Sequence, residues 1–266
     1  MAKPSPFVRF DVRRRVGWLE FHRPPVNAIN WPMLNAIHSS IATAIARSDV
    51  RVLVLASAID AYFSAGADLQ EFATMRDAGM RRWVKKCHQI VRLMRASPKP
   101  LLAAIGGTAV GGGLELTLHC DVRFAARDAR LGQPEIHIGF IPPGGATQAL
   151  ARLLGRSKAI RYLYDGRMLD AAAALDLGLI DELVPPAALQ ARVQAYGEEL
   201  AGKPASALAA IRRTITLGGA MDFERGLALE FKAAVALARS SDFREGVAAF
   251  LAKRPALRAR KQRRRK

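Results

Sequence analysis

Cysteine is scarce in this 266-residue chain, which has only Cys87 and Cys120. Neither belongs to a C-x-x-C pair or stands beside a histidine at ligand spacing. That argues against a disulfide framework or a thiolate metal site and fits a reducing, cytoplasmic setting. Long apolar runs are missing too. No stretch approaches the roughly 18 uncharged residues of a membrane span, and the N-terminal M-A-K-P-S-P-F-V-R-F-D-V-R-R-R lacks a continuous apolar segment, so neither secretion nor membrane insertion is expected. The five histidines, at 22, 38, 88, 119 and 137, form no H-E-x-x-H, and no G-x-S-x-G occurs. The glycines from 106 to 113 do not match G-x-x-x-x-G-K-[ST], and they do not supply G-x-G-x-x-G because position 116 is leucine. Zinc, serine-hydrolase and nucleotide-loop chemistries are left without support, and no metal site is expected. His119, in an apolar helix, and His137, near Glu135, read as structural or supporting residues.

Acidic residues are few beside the bases, 23 against 41, for a net charge of +18. Seven of those cations lie in R-A-R-K-Q-R-R-R-K at 258–266, leaving +11 on the rest. Such a block reads as a disordered tail that holds polyanions weakly and salt-sensitively. The body's own excess suits an anionic ligand carrying phosphates. Half of the chain is hydrophobic, enough for a large core without staples.

The patterning is α/β. Residues 7–21 alternate as paired strands, with Val8, Phe10 and Val12 on one face. Asn30 is placed to cap a helix whose apolar positions Leu34, Ile37, Ile41 and Ile45 recur at helical spacing. Buried strands are expected at 50–57, 101–105 and 121–126, a helix at 81–96 and another from Ala146 to Leu154. From Ser157 onward the pattern turns helical, with caps at Ser157, Asp170 and Asp222, stops at Gly178 and Gly202, and one further strand at 179–184. A soft boundary falls near 190. This gives an α/β core over 1–190, a helical region over 191–257 and the tail over 258–266.

Chemistry concentrates in A-V-G-G-G-L-E-L-T-L-H-C-D at 109–121. A strand that enters a helix through glycines presents unpaired N–H groups at the positive end of the helix dipole, and bare glycine lets a ligand approach the backbone. The loop S-A-G-A-D at 64–68 is of the same kind, so the two together can give two N–H donors to one carbonyl oxygen. Glu115 lies on the first turn of that helix, and Glu135 follows twenty residues later in Q-P-E-I after an intervening strand.

F-S-A-G-A-D-L, K-P-L-L-A-A-I-G-G-T-A-V-G-G-G-L-E-L, G-Q-P-E-I and D-G-R-M-L-D-A-A-A-A-L-D-L-G-L-I-D-E-L-V, in that order, resemble the crotonase, or enoyl-CoA hydratase/isomerase, superfamily. The likeness runs from P-P-V-N-A-I-N at 24–30 to R-E-G-V-A-A-F-L-A-K-R at 244–254. It implies a spiral of repeated ββα units with a C-terminal helical region for trimerisation. It further implies that the N–H groups of Ala67 and Gly112 form an oxyanion hole for a thioester carbonyl. Glu115 and Glu135 match the two glutamates of hydratases. Ala28, Ala65 and the run Ala67, Asp68, Leu69 and Gln70 match, with Gly112, the surface that grips coenzyme A. Coenzyme A enters as part of the substrate, with no separate cofactor. On this resemblance Glu115 acts on the proton of an attacking water while Glu135 delivers one to the α carbon, and the pair shares a single proton.

The chain departs from the pattern at two places. Pro143, in P-P-G-G-A-T-Q, replaces a flexible glycine and removes an N–H beside the acyl pocket. Gln70 stands where many relatives have a lysine near the coenzyme A phosphates, which leaves that role to another cation, such as the Lys253 and Arg254 region of a neighbouring subunit. Relatives assemble as trimers and hexamers, and 223–238 is rich enough in small and apolar residues for burial against a neighbour or within the chain. Two alternatives accompany the hydratase reading. A double-bond isomerase of the same fold needs mainly Glu135. An RNA-binding protein on this scaffold would use the basic tail, although the tail lacks aromatic residues for base stacking.

Overall fold

The computed structural model describes residues 5–254, so the basic tail lies outside the described residues. The chain opens with the antiparallel hairpin β1 (Val8–Arg13) and β2 (Val16–Phe21). Helix α1 (Trp31–Ala46) follows, capped by the Asn30 side chain, which accepts from the Met33 N–H at 3.0 Å. Three successive turns of chain then repeat one plan. β3 (Val52–Ser57), β5 (Leu101–Ile105) and β7 (Val122–Ala126) each lie in one sheet, and β4 (Tyr62–Ser64), β6 (Thr108–Val110) and β8 (Arg130–Gly132) follow them into a second. Each second strand leads towards helix: α2 (Leu69–Ala73) and α3 (Asp77–Ala96) after β4, α4 (Gly112–Thr117) after β6, and a 3-10 turn at Glu135–Ile138 after β8.

The larger sheet runs β1-β2-β3-β5-β7 and ends on β10 (Glu182–Val184), parallel from β2 onward; the smaller runs β4-β6-β8 and ends on β9 (Met168–Asp170). This is the expected α/β spiral of ββα units. Parallel strands covered on both faces read as continuous apolar runs, and V-L-V-L-A and L-L-A-A-I are buried at every residue. The second strands are only three residues long, too short to show a periodicity in the sequence.

Helices α5 (Ala146–Leu154), α6 (Arg156–Asp165) and α7 (Ala171–Leu177) continue the chain. Asp170 caps α7 by accepting from Ala173 N–H at 2.8 Å, and Gly178 ends it in the left-handed region at φ 86°. The cap expected at Ser157 is absent: α6 begins one residue earlier, after Gly155 at φ 80°. α8 (Leu189–Ala201) lies against β2, β3, β5 and β7, and its Gln194 side chain accepts from the Trp18 indole N–H at 2.7 Å. The first compact unit accordingly extends through Ala201, beyond the boundary expected near 190, because α8 is part of the core.

The second unit begins at Gly202 and contains α9 (Ala205–Arg213), α10 (Phe223–Ala238) and α11 (Ser241–Leu251). Asp222 caps α10 through the Arg225 N–H. No residue of α10 is buried within the single chain. Phe223 and Phe231, 78% and 70% exposed, stand with Leu227 and Val235 at four-residue spacing on one face. The opposite face, with Gly226, Leu229, Ala233 and Leu237, is half-buried within its own unit, so packing within the chain, one of the two possibilities its sequence allowed, accounts for part of the segment. Among the described residues, no helix is long and apolar enough to cross a membrane.

Candidate active site

The first donor loop is tied down by side chains below it. Asn27 is fully buried at φ 51°; its amide donates to Ser57 Oγ at 2.8 Å and to Phe63 O at 3.1 Å, and its Oδ1 accepts from Arg23 N–H at 2.6 Å. Ser64 Oγ donates to Asn27 O at 2.7 Å and accepts from Gly66 N–H at 3.1 Å. Ile29 and Ala67 then pair as an isolated parallel bridge, through Ile29 N–H to Gly66 O and Asp68 N–H to Ile29 O. In that register the Ala67 N–H points away from the ladder.

The second loop lies directly against the first. A methyl group on Gly66 (φ 85°) would meet Val110 O at 2.9 Å and Gly112 N at 3.5 Å, and one on Gly112 would stand 4.0 Å from Ala67 N. No protein acceptor meets the N–H of Ala67 or Gly112 among the described residues. Two open donors therefore border one space.

That space is a cavity of about 290 Å³, walled by Ala65, Ala67, Leu69 and Gly112 and by both Glu115 and Glu135. The sequence-distant carboxylates do share one cavity. Glu115 is 3% exposed on the first turn of α4, and its Oε1 accepts from Ala146 N–H at 3.2 Å. The Gly144 N–H also favours the ionised form of this carboxylate. A methyl on Gly144 would sit 2.7 Å from Glu115 Oε2, so the glycine is what lets this turn close over the carboxylate. Burial raises Glu115 to about 8 against the pull of these two N–H groups, with a smaller contribution from the charge of Glu135.

Glu135 starts the 3-10 turn and backs onto Gly111 (φ 49°), whose methyl would come within 2.8 Å of Glu135 Oε1. With its amide oriented to satisfy both groups, Gln133 donates to each Glu135 oxygen at 3.0 Å. Burial pushes Glu135 up to about 7. On α6, which packs against this turn, the buried Tyr162 hydroxyl has no hydrogen-bond partner among the described residues and is held protonated by burial and by the charge of Glu135.

The other expected site residues divide. Ala28 and Asp68 fix the loop rather than line the cavity: Arg23 donates to Ala28 O at 2.6 Å and pairs with the Asp68 carboxylate at 2.9 Å, while Asp68 Oδ1 also caps α2 through Gln70 N–H. Gln70 is exposed and outside the cavity wall. Arg254, a candidate phosphate partner, is engaged with Glu245 at 2.6 Å. His119 donates from Nε2 to Gly144 O at 2.8 Å, a supporting contact behind the Glu115 clamp, whereas His137 lines the cavity.

Several contributors had not been singled out. The Gly144 and Ala146 N–H groups are backbone and carry no letter of their own. Phe72 and Phe140 form an aromatic wall with Trp83, with centroids 5.1 Å apart for Phe72–Trp83 and 6.1 Å for Phe72–Phe140. Cys87 also faces the cavity, its thiol pushed up to about 12 by burial and by Glu115. Pro143, which the sequence did single out, lines the cavity beside Gly144.

A family model described as enoyl-CoA hydratase/isomerase matches residues 11–258. The chain belongs to this family. Among curated members, the enoyl-CoA isomerase/hydratase fer4 of Mycosarcoma maydis is 38% identical over 77% of this chain and 74% of its own. The crotonyl-CoA hydratase of Syntrophomonas wolfei is 32% identical over 92% and 95%. Among solved structures, the enoyl-CoA hydratase of Bacillus anthracis superposes with a TM-score of 0.89 at 31% identity, covering 94% of this chain and 98% of that one. Pseudomonas aeruginosa DspI gives 0.92 at 29%, covering 97% and 98%. The crotonase fold and a hydratase or isomerase activity follow from this membership.

Proposed function

We propose that this chain hydrates a 2-enoyl-CoA thioester, placing the hydroxyl of water on the β carbon and a proton on the α carbon to give the 3-hydroxyacyl-CoA. The observation that carries the reading is the convergence of two open N–H donors and two buried carboxyl groups on one largely apolar cavity. As water attacks, negative charge moves onto the thioester oxygen between Ala67 and Gly112, where each N–H contributes about 3 kcal/mol. Glu115, whose carboxylate form is held by the Gly144 and Ala146 N–H groups, takes the proton of the water. Burial makes it a stronger base than a free carboxylate. Glu135 backs onto Gly111, next to the Gly112 donor, and so lies beside the carbon adjoining the carbonyl; it delivers the α proton. Acid–base assistance of this kind contributes about 10²- to 10⁴-fold.

Leu69, Phe72, Trp83, Ile90 and Phe140 suit an apolar acyl group. Coenzyme A is part of the substrate, and the mechanism calls on no metal. The unburied stripe of α10 supports assembly as a homotrimer or hexamer, and the tail supports weak polyanion retention separate from catalysis. The test is a spectrophotometric assay over 2-enoyl-CoA esters of increasing chain length, with 3-enoyl-CoA alongside. Loss of the conjugated enoyl absorbance is expected. Its appearance from 3-enoyl-CoA, with no hydration, would replace this reading by the isomerase.

A further inference from the structure

Behind Glu135 stands a polar atom that the reaction has not yet used. Tyr162, on α6, is only 3% exposed, yet its hydroxyl has no hydrogen-bond partner among the described residues. An unpaired buried hydroxyl costs stability, and phenylalanine would fill the same space without that cost. Packing alone does not account for the oxygen.

What lies against this part of α6 is the turn that carries Glu135. The helix packs on the 3-10 turn Glu135–Ile138. At its end the Gly166 N–H donates to Tyr162 O at 3.2 Å, and a methyl on Gly166 would meet Ile136 Cγ2 at 2.5 Å and His137 Nε2 at 2.8 Å, so helix and turn touch directly. Across this contact the charge of Glu135 reaches the hydroxyl, which burial and that charge hold protonated well above the usual tyrosine range. Glu135 has acceptor capacity to spare. Gln133 supplies one donor to each of its oxygens at 3.0 Å, whereas an ionised carboxylate has about four acceptor positions. A phenol that keeps its proton and a carboxylate that forms when a proton leaves are complementary, and charge-assisted hydrogen bonds of this kind are the strong ones.

Other charged and titratable groups surround the pair. Glu115 faces Glu135 from α4, and His137 stands two residues along the same turn. Arg167, just past α6, is 3.8 Å from Asp165. Arg152, on the neighbouring α5, is exposed and donates to Gln148 O at 2.8 Å. Among the described residues, Glu135 is the carboxylate whose charge acts on Tyr162.

We propose that Tyr162 is a positioning residue for Glu135: when that carboxyl group gives up its proton, its side chain turns toward α6 and accepts a hydrogen bond from the buried hydroxyl. This role rests on the hydratase reading, in which Glu135 delivers a proton to the α carbon. The bond favours the ionised form and holds the carboxylate in one place until it is protonated again.

The test is urea unfolding of the full chain with and without Tyr162→Phe, at about pH 4 and about pH 9. Phenylalanine keeps the ring and removes only the oxygen. Glu135 holds its proton to about 7 when folded and loses it near 4.5 when unfolded, so stability falls as pH rises between these values. Loss of a donor to the ionised form raises the folded value further, and each unit is tenfold in the folding equilibrium. Relative to the parent, Tyr162→Phe should therefore be about tenfold less favourably folded at pH 9 than at pH 4. The same substitution made in Glu135→Gln should show no such pH dependence; His137 is present in both backgrounds and cancels. In a pH profile of kcat/KM, the acidic limb of Tyr162→Phe should move to higher pH. An equal offset at both pH values, as an idle or merely packing hydroxyl gives, would overturn the proposal, and so would a pH-dependent loss that persists in Glu135→Gln. Unfolding is read without turnover, so this coupling in a chain that hydrates nothing would sink the hydratase reading and leave the partnership of Tyr162 with Glu135 standing.

Discussion

Around Glu115 the chain supplies backbone: Gly144 and Ala146, from a turn some thirty residues further on, direct their N–H groups at the carboxylate, and no side chain intervenes. Around Glu135 it supplies side chains, with the Gln133 amide on both oxygens and the Tyr162 hydroxyl behind. Backbone donors cannot be removed by substitution, only displaced, whereas an amide can be deleted cleanly. The difference teaches that one carboxylate depends on the shape of a turn and the other on a particular residue.

The largest effects come from the carboxylates themselves. Glu115→Gln and Glu135→Gln should each lower kcat by roughly 10²-fold or more, and the double variant should fall far short of the product of the two, as groups acting together do. Full activity in either single variant would remove that glutamate from the mechanism.

The glycines behind each carboxylate come next. Gly144→Ala places a methyl 2.7 Å from Glu115 Oε2, and Gly111→Ala places one 2.8 Å from Glu135 Oε1. A shift of a carboxylate by about 1 Å costs on the order of 10²-fold in rate. The two should differ in stability, because Gly111 sits at φ 49° and Gly144 has no such strain. Gly111→Ala therefore loses a further ~1–3 kcal/mol in denaturant unfolding. Equal stability of the two variants would mean that the β6–α4 turn relaxes.

What the sequence made legible follows the same division. Glu115 and Glu135 stand out as single carboxylates in apolar or small-residue surroundings, and Asn30, Asp170 and Asp222 cap the helices they were expected to cap. The strands β3, β5 and β7 are readable as apolar runs. The three-residue strands β4, β6, β8 and β9 are not, since their pairing is decided by the spiral and not by local preference. The clamp on Glu115 was hidden because any residue supplies an N–H; the only trace of it is the pair of glycines at 144 and 145. Asp68 was misleading for the opposite reason, its charge being spent on Arg23 and on capping α2.

Stability against pH separates the two carboxylates further. Glu115 keeps its proton to about 8 when folded and loses it near 4.5 when unfolded. Between these values the unfolded chain binds fewer protons, so stability falls as pH rises through that window. Glu115→Gln has no such group. It should match the parent at pH 4 and exceed it at pH 8 by on the order of a few kcal/mol in urea unfolding. An advantage of the same size at both pH values would point to repacking instead of ionisation. Glu135, raised only to about 7 and less buried, should give the smaller gain when replaced by glutamine.

The smallest effect isolates the side-chain support of Glu135. The proposed reaction needs one proton on the pair, so kcat/KM should be bell-shaped in pH: below about 7 both groups hold protons and above about 8 neither does, and between them the reactive form, with Glu115 ionised and Glu135 protonated, is the less populated of the two one-proton forms because Glu115 is raised further. Gln133→Met removes an amide that favours the ionised form of Glu135. A rise of about one unit in Glu135, equivalent to ~1.4 kcal/mol, should move the acidic limb to higher pH and raise the maximum of kcat/KM severalfold, because Glu135 then more often holds the proton it delivers. Gly144 and Ala146 are untouched by this substitution, so the basic limb, set by the clamped Glu115, should stay in place. Movement of both limbs together would show that the two carboxylates are not supported separately, and that the glycine turn and the glutamine act on one shared proton.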